Sequence, residues 1–529
     1  MRTSGKHDLS SKGDAGTRPQ GTRHPTRAFL AAGVLTILGA HVLANSMTKP
    51  VSRDEQMYCT AGVLMAQGHL PYRDFSYAAQ LPYHPLLCAA VFHLTGTTHY
   101  LLSTRLVSVC CDLLVMVFIV AIYTRIIGTS LAATGLGLGG AAMYAFNRVV
   151  GYASGYAWNH DAVVMLGLAC LGLFVSTDPG RRSHPWRVAA IGTLVSLATG
   201  MRATTALTLP VFAIALGLQA RWSGIRIRTW AVPFGVGLLA GAAWPLWVAA
   251  QAPQALWLNL VEIPRLYGRW LHGIGMTHTK AALTWQCLTT PGYLALLALV
   301  IGLVTWAWGW RRPWLGGTRG PFLATLALIA VFSLIAFIPP TMWHQYWAVP
   351  VPFLVVSLAF PLGGLVRSGD PRRLRWACGL VALGVLVTVV SNPLAFWRAA
   401  IATDVQTWEP LRMHRLAKEI AASVPAPRRV LTLTPLLALE GGCDVYRELS
   451  CGSVIYRIAD QLSPAQRERT HCAGPKSLPG LIEAQPASAV LVGAEDPRFA
   501  FLEAPLQALV GPDWPRRAYP DGQVLYCRP

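Results

Sequence analysis

Two adjacent carboxylates, Asp54 and Glu55, stand in the stretch SRDEQMYCTAGVLMAQGHLPYRDFSY, residues 52–77, which follows directly on an apolar run. A carboxylate can do two kinds of work in such a place. It can cap a helix by accepting from unpaired backbone N–H groups, or it can take a proton from a substrate as a general base. Ser52-x-x-Glu55 is a capping-box pattern, and Met57, Ala61, Leu64 and Met65 fall on one face of the helix that it would start. Gly68 would stop that helix. One carboxylate completes the box, so the pattern accounts for Glu55 and leaves Asp54 over.

Acids are scarce in the greasy part of the chain, which makes their positions informative. Asp8 and Asp14 lie in the N-terminal tail, Asp178 and Asp370 lie beside Arg clusters, and Asp112 lies inside an apolar run next to Cys110 and Cys111. Glu262, Asp54, Glu55, Asp74 and Asp161 remain, and the last four fall in the first two loops on one side of the expected topology, where a shared site could form.

The elements that must position these groups are membrane spans. The chain has 529 residues, is 53% hydrophobic and 13% charged, and has a mean hydropathy of +0.42, which excludes an ordinary water-soluble globule. A crossing needs about 20 mainly apolar residues, and about 11 segments qualify. They lie near 28–46, 103–122, 129–146, 161–177, 187–200, 203–220, 230–249, 291–310, 321–339, 347–366 and 376–393, with Gly200 and Arg202 at the turn between the fifth and sixth. The net charge of +20 belongs to this region. A basic balance can signal nucleic acid, but here Arg125, then Arg181, Arg182 and Arg187, then Arg221, Arg226 and Arg228, then Arg311, Arg312 and Arg319, then Arg367, Arg372, Arg373 and Arg375 occupy alternate short loops. That is a positive-inside pattern, so no nucleic-acid partner is expected. It predicts a basic cytoplasmic tail at 1–27, a transmembrane domain at 28–398 anchored by an uncleaved first span, and an extracytoplasmic region at 399–529. Segment 82–97 is too short to cross and is expected at the interface, so a first outside loop runs over 46–100.

The first loop carries a sharper pattern: Asp54-Glu55, Tyr58, Gly68-His69-Leu70-Pro71-Tyr72-Arg73-Asp74-Phe75 and Pro82-Tyr83-His84-Pro85. It resembles the membrane glycosyltransferases of the GT-C fold, specifically the protein O-mannosyltransferase and aminoarabinose-transferase-like enzymes of the glycosyltransferase family 39 type. The resemblance covers the topology of residues 28–395 and is sharp in the first loop. It implies a polytopic α-helical enzyme of the bacterial inner membrane that moves a sugar from a polyprenyl-phosphate donor to a glycan, glycolipid or protein acceptor on the outer face, with inversion. Asp54 would be the general base, Glu55 the helix cap beside it, and Asp161 a second acid of the site. Asn159 or Asp161 would equally serve as an N-cap. Relatives of the aminoarabinose type place a Lys just ahead of the re-entry Pro, where this chain has Gln80-Leu81.

A polyprenyl phosphate needs cations at the membrane surface. Arg265, Arg269, His272, His278 and Lys280 break the positive-inside bias in the loop 251–291, and Arg202 sits at a turn on the same side. Arg265, Arg269, His272 and Arg202 are therefore candidates for phosphate binding. His344 and Tyr346, in PPTMWHQYWAVPVP, sit where relatives place donor-contacting groups, although an interfacial aromatic belt also explains Trp343, Tyr346 and Trp347.

Other signals are weak. Gly135-x-Gly137-x-x-Gly140 fits a dinucleotide fingerprint but lies inside an apolar span with no preceding strand, where close helix packing explains it. No metal-ligand spacing is present, and no cofactor is expected. In the C-terminal region RRVLTLTP, ASAVLVGAED and GQVLYCRP read as strands, and SVIYRIADQL, LPGLIEA and PRFAFLEAPLQAL as helices, which predicts a small α/β domain. Its Cys443, Cys451, Cys472 and Cys527 are expected to contain at least one disulfide. A secondary transporter or lipid-linked-sugar flippase is the competing function, and a membrane-anchored assembly factor a third. The lack of an internal repeat, the odd number of spans and the loop positions of the acids favour the enzyme.

Overall fold

The computed structural model describes residues 25–177, 185–277, 279–309 and 315–529. The tail before residue 25, Asp178, Arg181, Arg182, His278, Arg311 and Arg312 lie outside these residues.

The first helices are α1 (Pro25–Met47), α2 (Arg53–Ala66), α3 (Tyr83–Thr95), α4 (Tyr100–Ile127), α5 (Leu131–Ala145), α6 (Arg148–Ala153), α7 (His160–Ser176), α8 (Pro185–Met201), α9 (Thr208–Trp222) and α10 (Ile227–Gln251). They are followed by α11 (Pro253–Trp257), α12 (Ile263–Gly273), α13 (Lys280–Leu288), α14 (Pro291–Trp308), α15 (Arg319–Ile335), α16 (Val351–Ser357), α17 (Ala359–Ser368) and α18 (Pro371–Val390). Each expected span falls on helical structure: 203–220 on a 3₁₀ turn running into α9, 347–366 on a 3₁₀ turn followed by the two helices α16 and α17, and the others on single helices. Eight helical segments among the described residues are long and apolar enough to cross a membrane, and α5 and α7 are shorter apolar helices. The chain is an integral, multi-pass α-helical membrane protein.

Packing within the bundle explains the glycines. Across α8 and α10 a Cβ on Gly237 would lie 2.0 Å from the Ala189 carbonyl oxygen, and one on Gly192 would lie 2.3 Å from that of Phe234. Only a bare Cα lets these backbones approach so closely. In α5 a Cβ on Gly137 would meet Val120 Cα at 3.0 Å and one on Gly140 would meet Val355 at 2.9 Å, so the fingerprint-like run is a helix-packing surface. The segment formed by α16 and α17 runs through the middle of the bundle, almost wholly enclosed, and Tyr123 donates to the Val355 carbonyl at 2.7 Å.

Beyond α19 (Pro393–Ile401) and α20 (Glu409–Ser423) the chain builds a five-stranded sheet in the order β2-β1-β3-β5-β4. The strands are β1 (Arg429–Leu431), β2 (Asp444–Val445), β3 (Ala489–Val492), β4 (Arg516–Ala518) and β5 (Val524–Cys527). β1 is parallel to β2 and β3, while β5 is antiparallel to β3 and β4. Helices α21 (Pro435–Gly441) and α22 (Ser453–Ala459) lie in the connections. The three strands expected from apolar runs form the centre of the sheet. β2 and β4 are short edges without an apolar run to announce them.

The expected disulfide is not formed: Cys443, Cys451, Cys472 and Cys527 are all free thiols. Their sulfurs are turned to other partners. Cys451 Sγ donates to the Ser76 carbonyl at 3.1 Å, Cys472 shares a 3.2 Å contact with Thr470 Oγ1, and Cys527 Sγ donates to the Ser423 carbonyl at 3.2 Å. Cys443 is buried in the core formed by Met413, Ile420, Val430 and Leu436.

The C-terminal domain is packed into the first loop. Tyr58, Tyr77, Trp158, Ile263 and Leu266 share one apolar cluster with Cys451, Ile455, Ile458 and Leu462. Leu436 N–H donates to Gln56 Oε1 at 3.1 Å, Ser450 Oγ to the Ser76 carbonyl at 3.3 Å, and Leu101 N–H to Glu440 Oε1 at 2.7 Å.

Candidate active site

Helix α2 starts as its sequence dictates. Ser52 Oγ accepts from Glu55 N–H at 3.2 Å and Glu55 Oε2 accepts from Ser52 N–H at 2.8 Å, which closes the capping box. The rest of the Glu55 carboxylate is equally engaged. Arg105 holds it bidentately, Nε on Oε1 and Nη2 on Oε2, both at 2.8 Å, and Ala157 N–H donates to Oε1 at 2.7 Å. Both side chains are fully buried. The remaining Arg105 donors reach the carbonyls of Ser46, Lys49 and Pro50, so one ion pair ties α1, α2, α4 and the second loop together. This leaves Glu55 no oxygen for substrate chemistry.

Asp54 is placed differently. It is half-buried, and among the described residues it makes no hydrogen bond or ion pair. Burial raises its carboxyl above the ordinary aspartate value, Arg53 and Arg457 pull it back, and Glu55 adds to the rise. Tyr58, one turn further along α2, Tyr152 from α6, Tyr267 from α12 and Tyr346 all lie within electrostatic reach of Asp54. The Tyr58 ring is fixed edge-on to Tyr77 (5.9 Å between centroids) and His84 (5.1 Å). Burial pushes the Tyr58 hydroxyl well above its usual value and the His84 ring down to about 3, so both stay neutral near pH 7.

Arg202 follows α8 in extended conformation and acts on both Tyr58 and Tyr346. A short chain of polar contacts fixes it: Arg202 Nη2 donates to Asn159 Oδ1 at 3.0 Å, and Asn159 Nδ2 donates to Gln80 Oε1 at 2.7 Å and to the Met201 carbonyl at 2.8 Å. Asn159 side-chain capping of α7 is thereby ruled out, since both ends of its amide are committed elsewhere.

Asp161 occupies a second, fully buried cluster. Its Oδ2 accepts from Gly155 N–H at 2.8 Å, and it interacts with Lys49, Asp112 and Arg202. Asp112 accepts from Tyr144 Oη at 2.6 Å. Lys49 donates to the carbonyls of Tyr152 and Ser154 and sits 4.3 Å over the Tyr156 ring. Burial pushes Lys49 down to about 7.

The other candidates are not all drawn in. Arg265, Arg269 and His272 are exposed on α12, and Arg269 pairs with Glu262 at 3.7 Å. The same helix turns Tyr267 and Trp270 inward instead. His344 Nε2 lies 3.2 Å from Gln286 Oε1, with its ring 5.4 Å from Tyr152. Asp74 closes its own loop, accepting from Leu70 N–H at 2.7 Å and pairing with Arg73. Among the described residues no group of His, Cys, Asp and Glu is arranged to hold a metal ion.

The residue that sequence reasoning missed is Arg457, on α22 of the C-terminal domain. It is 7% exposed and lies 4.9 Å from the rings of Trp270 and Phe499 and 5.5 Å from that of Tyr267. No local motif marks it. The available signal was an arginine in the middle of the apolar helix SVIYRIA.

No protein-family model and no curated protein sequence matches the chain. Solved structures do. ArnT, the aminoarabinose transferase of Cupriavidus metallidurans, bound to undecaprenyl phosphate, superposes with a TM-score of 0.60 at 14% identity over 95% of this chain and 98% of that one. Its apo state gives 0.58, also at 14%, over 96% and 98%. The apo oligosaccharyltransferase of Archaeoglobus fulgidus gives 0.50 at 10% identity over 88% of this chain and 70% of that one. The chain has the GT-C fold that these glycosyltransferases share.

Proposed function

We propose that this protein transfers a sugar from a polyprenyl-phosphate donor to an acceptor nucleophile at the membrane face that carries the C-terminal domain, with Asp54 as general base. The observation that carries this reading is the contrast within α2: Glu55 is consumed by four hydrogen bonds, while the adjacent Asp54 has no partner among the described residues and lies within electrostatic reach of Tyr58, Tyr152, Tyr267 and Tyr346. A carboxylate held in this way accepts a proton from an acceptor hydroxyl or amine as the nucleophile attacks the anomeric carbon. The departing phosphate is already anionic and needs a cation more than a proton. In this reading Arg202 supplies it, supported by its hydrogen bond to Asn159 and its electrostatic reach to Tyr58 and Tyr346, although the first loop lacks the lysine of aminoarabinose-type relatives. One displacement at the anomeric carbon inverts its configuration. The fold shared with ArnT, solved with undecaprenyl phosphate, supports the donor class.

Asp161 holds the turn at Gly155 and balances Lys49 and Arg202, so its contribution is to position rather than to exchange protons with substrate. The deciding experiment is transfer by purified protein from a panel of labelled polyprenyl-phosphate sugars, with Asp54→Asn as the control. Transfer by the wild type that the variant loses supports the reading. Absence of transfer from every donor, together with movement of the intact lipid-linked sugar across a bilayer, would replace it with a flippase.

A further inference from the structure

The C-terminal domain brings a charged group, Arg457, within electrostatic reach of Asp54, and its surroundings are built. Arg457 is anchored by its own helix, Nε donating to the Ser453 carbonyl and Nη2 to Ser453 Oγ at 2.7 Å. Ser453 Oγ in turn donates to Glu495 Oε1 at 2.8 Å. Three aromatic rings, Tyr267, Trp270 and Phe499, surround the guanidinium. Its third nitrogen, Nη1, is buried and has no hydrogen-bond partner among the described residues. Arg457 acts electrostatically on Asp54 and on Tyr267 without forming an ion pair with Asp54.

A second cation stands beside it. Arg53 lies 4.3 Å from the Phe499 ring and pairs with Glu495 Oε2 at 3.4 Å, while Arg457 reaches the same carboxylate only through Ser453 and electrostatically. Glu55 cannot help, because Arg105 neutralises it. A buried guanidinium with an unpaired donor is expensive unless an anion completes it.

We propose that Arg457, with Arg53 beside it, forms an anion-binding subsite in which Arg457 Nη1 donates to a phosphate or carboxylate oxygen of the substrate that reaches Asp54. The proposal rests on the transferase reading and adds to it a binding residue from the C-terminal domain. The anion is either the phosphate of the polyprenyl donor or an acidic group on the acceptor. Both present the same chemistry to a guanidinium.

The test uses the full-length protein in detergent with Arg457→Gln and Arg457→Lys. Lysine keeps the stem and the charge but cannot hold Ser453 and reach outward at once. Melting temperature reports folding, and the lysine variant decides the matter if the glutamine variant unfolds. Binding of sugar-free polyprenyl phosphate is measured by calorimetry, and the acceptor KM at saturating donor is measured separately. One of the two should weaken by about 10- to 100-fold, the range for a hydrogen bond to a charged group. Weaker polyprenyl-phosphate binding assigns the subsite to the donor phosphate. Unchanged binding with a raised acceptor KM assigns it to an acidic acceptor. A folded lysine variant with both constants unchanged overturns the proposal. The binding measurement needs no sugar transfer, so it still reads out if the protein proves not to be a transferase, and unchanged binding then overturns the proposal too.

Discussion

Two acidic clusters lie close together in this molecule, and they solve opposite problems. The cluster of Lys49, Asp112 and Asp161 is fully buried: a lysine acts on two carboxylates, Tyr144 Oη and Gly155 N–H each satisfy one carboxylate oxygen, and Asp112 Oδ2 and Asp161 Oδ1 have no hydrogen-bond partner among the described residues. Asp54 instead has tyrosines and the cations Arg53 and Arg457 within electrostatic reach, and none of them bonds to its carboxylate among the described residues. In the first, charge is used to hold segments of the bundle in register. In the second, charge is kept available. Burial alone does not separate the two, since desolvation acts on both; what separates them is that each carboxylate of the first has one protein donor and Asp54 has none among the described residues.

The largest effect is expected at Asp54. Asp54→Asn removes the proton acceptor but no protein contact, so transfer should fall by about 10² to 10⁴-fold while the melting temperature hardly moves. An initial rate equal to that of the wild type would break the comparison at its centre. Glu55→Gln should show the reverse profile. It leaves Arg105 buried without its counter-charge and is expected to destabilise the fold by about 3 to 5 kcal/mol, read as a lower melting temperature and a smaller yield of folded protein. A smaller loss, about tenfold in rate, is expected for Asp161→Asn, which weakens the hydrogen bond at Gly155 by about 1.4 kcal/mol without touching the proton-accepting group. The comparison is sharpened by pH. Because burial raises the Asp54 carboxyl, the base is lost as pH falls through that raised value, so the acid limb of kcat/KM should lie above the ordinary aspartate value of about 3.9. Arg53→Gln removes a charge that favours the carboxylate and should move the limb further up. Least affected should be Arg265→Ala, a change at an exposed residue, with a rate and stability close to those of the wild type.

Much of this architecture was legible because it follows from local rules. Hydropathy located the spans, since a lipid-exposed helix must be apolar along its length. Ser52-x-x-Glu55 announced both the start of α2 and the work of Glu55. The Arg105 partner was not anticipated, although an arginine near the start of an apolar span asks for a counter-charge. At α12 the sequence reads as a loop whose cations stand out by charge alone, but the segment is a helix on which Arg265, Arg269 and His272 are exposed and Tyr267, between them, turns inward. The even set of cysteines suggested a disulfide, yet sulfur positions depend on which core each strand faces, and nothing local encodes that. Arg457 depends wholly on tertiary placement, because its relation to Asp54 exists only once the C-terminal domain is docked.

That docking sets an order of events in the making of the protein. Gln56 and Ser76 are synthesised well before their partners Leu436 and Ser450, which lie 380 and 374 residues further along the chain. The first loop must therefore wait for these partners until the chain has been made as far as α22. A chain interrupted anywhere before α22 lacks Arg457 and the residues that cover the first loop, so the surroundings of Asp54 are completed only after the helices that hold it have been made.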